Sequence, residues 1–236
     1  MMQAVVFDVD DTLYDQQAPF RKAVKALVPQ VLAADFHPLY LRFRYYSDEN
    51  FPKVMTGELT LVEMRNQRII ESLVDLDYPR LTTVEALRFQ KLYEDELQQI
   101  QLHADIAETL DYLKARQIPI GIITNGPTDH QYKKIKQLQV ENWVAQERII
   151  ISEATGYQKP EVEIFQIAQN LFGFTPAETL YVGDSFESDV AGCKKAGWQS
   201  LWFNHRLRQA PIAPAHLPDF EIQSFPQLLI TLQEIF

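Results

Sequence analysis

The sequence predicts a doubly wound α/β domain interrupted by a helical insertion, and three observations carry that prediction. Short apolar runs of strand length alternate with segments of helical period. The alternation stops for one long strand-free stretch directly after the first run, and two of the predicted strands end in carboxylates. At 236 residues and 46% hydrophobic content, the chain can form one large domain, or a main domain with a smaller second one, around a full core.

The first predicted strand is residues 4–7 (AVVF), and four more follow at 119–123, 148–151, 179–182 and 200–203. Each is apolar on both faces, as a buried parallel strand must be. Helical patterns at 106–116, 129–138, 161–172, 188–196 and 225–235 separate or follow them, which is the signature of a doubly wound parallel sheet. Residues 16–99 differ: helical patterns run through 20–32, 39–48, 59–73 and 84–100, and no strand is legible. The division expected is therefore a core of 1–15 and 100–236 with a helical insertion at 16–99. The insertion falls where a substrate-covering lid would sit, because open α/β sheets bind ligands at the carboxyl ends of their strands.

Charge separates the same two parts. The chain carries 32 acidic and 22 basic residues, a net −10; residues 16–99 hold 12 and 11 of them, and the remainder 20 and 11. Such an excess repels phosphate backbones and anionic lipid, so neither a nucleic-acid polymer nor a membrane surface is expected as partner. The single cysteine, Cys193, excludes an intrachain disulfide framework and any thiolate zinc cluster, and fits a reducing compartment. There is no signal-peptide pattern at the start and no apolar run of about 18 residues, so the expected location is the cytoplasm.

Unpaired buried charge is costly, so strands that end in carboxylates need a compensating reason. Asp8 and Asp10 follow the first strand two residues apart, which by strand alternation sets them on one side and lets them converge. The strand at 179–182 runs into Gly183-Asp184-Ser185-Phe186-Glu187-Ser188-Asp189, with Asp184 at its end and Asp189 in the first turn of the next helix. In a parallel sheet both ends share one rim, and several carboxylates there suit a hard divalent cation, above all Mg²⁺. The competing explanation is that Asp10, Asp11, Ser185 and Asp189 only form turns and cap helices. Thr124 can likewise be a strand-end residue before an Asn-Gly turn, and Lys159 a surface residue leading into a helix with Pro160 in its first turn.

Asp8-Val9-Asp10-Asp11-Thr12-Leu13 resembles motif I of the haloacid dehalogenase (HAD) superfamily. Ile122-Ile123-Thr124-Asn125-Gly126 resembles motif II, Lys159-Pro160 motif III, and Gly183-Asp184-Ser185 through Asp189 motif IV, all in the family's order. The resemblance covers the whole chain and implies a HAD-like, Rossmannoid core with a small α-helical cap between motifs I and II. It implies that Asp8 is the nucleophile, forming an aspartyl-phosphate and ligating Mg²⁺. Asp10 would be the general acid and then base, its backbone carbonyl a further metal ligand; to act as acid it must hold a proton in the attacking complex, raised by negative charge or burial, which close approach of the substrate phosphate would supply. Thr124 and the backbone N–H of Asn125 would hold phosphoryl oxygens, and Lys159 would neutralise charge between nucleophile and phosphoryl group. Asp184 would ligate the metal directly and Asp189 through a water, while Asp15 and Glu187 are expected to be structural.

A leaving alkoxide needs the proton that a leaving halide does not, so Asp10 argues against dehalogenation. The implied activity is Mg²⁺-dependent phosphatase action on a small phosphorylated metabolite, with a phosphomutase as the alternative from the same fold. A non-catalytic binding protein would have no need of the carboxylate cluster. Two further features bear on the leaving group. Leu41-Arg42-Phe43-Arg44-Tyr45-Tyr46 and Asn66-Gln67-Arg68 either contact a nucleoside-like leaving group or pack the helices and face solvent. Trp202-Phe203-Asn204-His205-Arg206, the Pro-rich 211–218 and Asp219-Phe220-Glu221-Ile222 resemble the pyrimidine 5′-nucleotidase-like branch, in which His205 would not be catalytic.

Overall fold

A computed structural model describes residues 2–211 and 217–236, so most of the Pro-rich stretch 211–218 lies outside the described residues. The chain divides into two units, Met1–Asp15 with Gln101–Phe236, and Gln16–Ile100.

The second unit is helical: α1 (Gln17–Leu27), α2 (Phe36–Met55), α3 (Leu61–Val74) and α4 (Thr83–Leu97). Both α3 and α4 open on a capping box, in which Thr60 and Thr82 exchange hydrogen bonds with Glu63 and Glu85 three residues on. Helix α2 continues through Pro52 beyond its expected end at 48; its last turns are largely solvent-facing, so no apolar stripe marks them in the sequence. The core of this unit is Phe20, Leu39, Phe43, Ile69, Leu73 and Phe89. The Arg/aromatic run is thereby split: Phe43 is core, whereas Tyr45 is 51% exposed. Arg68 lays its guanidinium over the Phe43 ring at 4.2 Å and donates to Ser47 and Gln90.

The first unit is built on a parallel sheet of six strands among the described residues, in the order β3-β2-β1-β4-β5-β6. They are β1 (Ala4–Phe7), β2 (Ile120–Thr124), β3 (Ile149–Ile151), β4 (Thr179–Gly183), β5 (Gln199–Phe203) and β6 (Phe220–Ile222). The sixth was not legible as a strand, since it is a three-residue edge with Phe220 and Glu221 exposed and only Ile222 buried. The other strands are buried almost throughout, which is why they read as unbroken apolar runs.

The helices of this unit are α5 (Ala104–Ala115), α6 (Thr128–Gln137), the short α7 (Ser152–Thr155), α8 (Val162–Phe172), the short α9 (Gly192–Lys195) and α10 (Phe225–Ile235). On one face Val6, Ile123, Ile150 and Tyr181 pack with Phe165 and Phe172 of α8, and with Trp198. Gly121 permits that approach, because a Cβ there would lie 2.7 Å from the Phe172 ring. Helices α5 and α10 pack against each other, and Phe225 meets Phe203 of β5 edge-on at 4.7 Å. Two local expectations change. Helix α8 begins after Pro160 rather than with it, and the segment expected as one helix from 188 starts as a π-helical turn over 186–191. No described helix is long and apolar enough to cross a membrane.

Register then sets the site. Phe7 pairs with Ile122 on one side and Val182 on the other, and the Asp8 N–H continues the ladder to the Val182 carbonyl at 2.9 Å. Asp8 thus emerges level with Gly183, at the point where the strand order reverses and open α/β sheets leave a crevice. Phe165, fully buried against Tyr181 and Trp198, is the aromatic centre beneath this rim. Phe165→Ala should destabilise the protein by about 3–5 kcal/mol, measured by urea unfolding; a loss below about 1 kcal/mol would mean that this face is not the core.

Candidate active site

Lys159 is the centre of the rim. Its ammonium, 3% exposed, donates to Asp8 Oδ1 at 2.7 Å, Asp189 Oδ1 at 2.6 Å and the Tyr181 hydroxyl at 2.8 Å. Those three bonds use all three of its donors. Tyr181 in turn donates to the Ile123 carbonyl at 2.9 Å, so the hydroxyl of a core strand residue is part of the site. Burial alone would lower the Lys159 ammonium, but Asp189 and Asp8 beside it raise it well above its ordinary value.

Asp189 reaches Lys159 by folding back over β4. Its Oδ2 accepts from the Ser185 N–H at 2.9 Å, and its carboxyl carbon lies 2.4 Å from where a Cβ on Gly183 would stand. Only glycine fits there, which gives the Gly-Asp-Ser run its reason. Asp8, Asp184 and Asp189 each bring a carboxylate oxygen within 4.8 Å of the others. Burial pushes the Asp8 carboxyl up to about 7, with Lys159 opposing and Asp189 and Asp10 adding to the rise. Asp184 is also raised, by burial and then by Asp189, against the Arg208 guanidinium at 2.8 Å. The three form a buried, oxygen-only donor set with more negative charge than its neighbours cancel, which is what a hard divalent cation requires.

Asp10 does not join this cluster. Strand alternation ends with β1 at Phe7, and the Asp10 carboxylate meets side chains of α6 instead; the chain turns directly after it, where Asp11 takes the left-handed region at φ 62. Lys134 donates to both its oxygens at 2.7 and 2.8 Å, Tyr14 donates to Oδ1 at 2.6 Å and Gln131 to Oδ2 at 2.8 Å. Burial would raise this carboxyl, yet Lys134 and these hydrogen bonds hold it well below the usual range. The Asp10 carboxyl is thus held ionised here, and the rise expected from close approach of a substrate phosphate would have to act against Lys134.

Thr124 ends β2 with a buried hydroxyl that has no partner among the described residues. Asn125 next to it exchanges two bonds with the Lys159 backbone, Nδ2 to the carbonyl and the N–H to Oδ1, both 2.9 Å. Its side chain thus docks the Lys159 segment onto the end of β2, apart from any contact its N–H makes. Asp11 and Asp15 are bridged by Arg206, at 2.6 Å to each, and the His205 ring N–H donates to the Asp11 carbonyl at 2.8 Å. Asp15 and His205 thus both contact groups that hold the Asp11 turn.

Sequence reasoning missed Gln131, Lys134, Tyr181, Arg206 and Arg208. A signal existed for the first two: residues 131, 134, 135 and 138 form the buried stripe of α6 and its end, and two of those four positions are polar.

A family model of haloacid dehalogenase-like hydrolases matches residues 2–197. The chain belongs to this family. Among haloacid dehalogenase-like proteins, it is 26% identical to a glyceraldehyde 3-phosphate phosphatase of Methanopyrus kandleri, over 100% of this chain and 99% of that protein. It is 28% identical to the pyrimidine 5′-nucleotidase PynA of Streptococcus pneumoniae, over 98% and 94%. A crystal structure of the HAD-hydrolase YfnB from Bacillus subtilis, bound to magnesium, matches with a TM-score of 0.69 at 26% identity, covering 98% of both chains.

Removing Lys159 would leave Asp8 and Asp189 buried without their shared cation. Lys159→Ala should cost about 3–5 kcal/mol in urea unfolding at neutral pH, and a loss below about 1 kcal/mol would show that the lysine does not hold the cluster together.

Proposed function

We propose that the chain is a Mg²⁺-dependent phosphomonoester hydrolase that acts on a small phosphorylated metabolite through an aspartyl-phosphate on Asp8. The observation that carries this reading is the division of labour between two carboxylates of one loop. Asp8 lies among metal-type ligands with Oδ1 on Lys159, and Asp10 lies apart with both oxygens on proton donors. A nucleophile and a separate acid–base group are what ester cleavage by two successive displacements needs.

In the first displacement an Asp8 oxygen attacks phosphorus, the ester P–O bond breaks, and the leaving alkoxide takes a proton from Asp10. In the second, Asp10 takes a proton from water, whose oxygen attacks the same phosphorus; orthophosphate departs and Asp8 is restored. The ionised Asp10 suits the second step. For the first it must gain a proton as the ester enters, because added negative charge nearby raises a carboxyl. The unpartnered Thr124 hydroxyl and the Asn125 N–H would hold phosphoryl oxygens, and Lys159 would offset the charge between them and Asp8. Mg²⁺ bound through Asp8, Asp184 and Asp189, with the Asp10 carbonyl, would supply charge neutralisation for the phosphoryl oxygens. Residues 16–99 are assigned to choosing the leaving group, since they enter the chain directly after the reacting aspartates.

The test is a phosphate-release panel over pyrimidine and purine nucleoside 5′-monophosphates, glyceraldehyde 3-phosphate, sugar phosphates and p-nitrophenyl phosphate, with Mg²⁺ and with chelator. Orthophosphate release that needs Mg²⁺ and falls by at least about 10³-fold in Asp8→Asn is the expected outcome. Activity that survives chelation or this substitution would sink the mechanism, and phosphate moved within a sugar without release would identify a mutase. Metal binding has a pH signature of its own. Asp8 carries a proton below about 7, so the cation must displace it there. Mg²⁺ affinity by calorimetry should fall by about tenfold per pH unit below that value; an affinity unchanged between about pH 5.5 and 7.5 would remove Asp8 from the ligand set.

A further inference from the structure

Helix α6 presents two buried polar side chains, Gln131 (2% exposed) and Lys134 (7%), while its other lysines, Lys133 and Lys136, face solvent. A buried lysine is rare unless it is paired. Three residues apart, the two share one helix face, and both end on Asp10. Lys134 straddles the carboxylate at 2.7 and 2.8 Å, and Gln131 Nε2 donates to Oδ2 at 2.8 Å and also to the Asn125 carbonyl at 2.5 Å. Tyr14 closes the other side at 2.6 Å. The bonds continue from Asn125 to the Lys159 backbone, and from the Lys159 ammonium to Asp8.

We propose that Lys134, Gln131 and Tyr14 are positioning residues that clamp the Asp10 carboxylate, and that the Gln131–Asn125–Lys159 chain fixes it relative to Asp8. This rests on the acid–base part given to Asp10 above. Four donor contacts on two oxygens leave the carboxylate one orientation, and proton transfer to a leaving oxygen depends steeply on orientation. The Lys134 arm of the clamp ends on Asp10; Asp8 keeps Lys159 and Thr12 whether or not Lys134 is present. Loss of the clamp should therefore injure the proton-dependent steps and spare nucleophilic attack. The leaving group reports the difference, because p-nitrophenolate departs without a proton and an alkoxide does not.

The experiment compares Lys134→Met, Gln131→Leu, Asp10→Asn and Asp10→Asn/Lys134→Met on glycerol 3-phosphate and p-nitrophenyl phosphate at saturating Mg²⁺. For Lys134→Met, kcat on glycerol 3-phosphate should fall by about 10²-fold with KM changed less than about threefold, while the first-turnover burst of p-nitrophenol slows by less than about tenfold. The double variant should be no slower than Asp10→Asn. Equal losses on both substrates, or additive losses in the double variant, would overturn the clamp. Should Lys134→Met not fold, Gln131→Leu keeps the ion pair and is expected to show the same split in smaller measure; its absence overturns the proposal equally. Asp10→Asn at the wild-type rate on glycerol 3-phosphate would overturn the acid–base reading itself. An impaired Asp10→Asn beside an unimpaired Lys134→Met would overturn the clamp alone.

Discussion

The ammonium of Lys159 is the interaction on which the rest of the site depends. Two buried carboxylates brought together without it would each lose hydration and repel the other, and burial of unpaired charge is among the larger destabilising effects a protein can carry. Lys159 answers both at once, with Asp8 on one side and Asp189 on the other. Its third bond, to Tyr181, ties the polar rim to the apolar face below, where Tyr181 packs on Phe165 and Trp198. Core packing and site geometry are consequently one structure, and a change beneath the sheet is felt at its edge.

Backbone close approach makes that arrangement possible. Asp189 can reach Lys159 only because Gly183 has no side chain, and the Lys159 segment is held in reach by the paired amide bonds of Asn125. Even with the lysine, three carboxylates share one cation of the protein's own plus the more exposed Arg208, so the rim stays electron-rich. Burial, with Asp189 and Asp10 adding to it, makes the Asp8 proton hard to remove, and the excess of negative charge is the reason a divalent cation fits there.

Asp8 and Asp10, two residues apart, have been given opposite environments. Burial and like charges raise the first, while Lys134 and two neutral donors, Gln131 and Tyr14, lower the second. Two carboxyl groups whose surroundings push them apart can take different chemical parts at one pH. The chain turns directly after them at Asp11, and Arg206 and His205 secure that turn from the loop after β5.

Much of this was open to the sequence because it depends on local pattern. Continuous apolar runs give parallel strands, their alternation with helical periods gives a doubly wound sheet, and four motifs in order give the family and name Asp8, Asp10, Thr124, Lys159, Asp184 and Asp189. The edge strand β6 escaped because exposure on two of its three residues leaves no apolar run, and the end of α2 because exposed turns carry no period. What only the tertiary structure decided is which charges meet. Lys134 lies 124 residues from Asp10 and Arg206 lies 195 from Asp11, and spacing along a chain says nothing about contacts made through folding. That is why the net −10 could be read from composition, while the donors that hold the Asp10 carboxyl low could not: a carboxyl's proton affinity is set by the few groups within hydrogen-bonding reach.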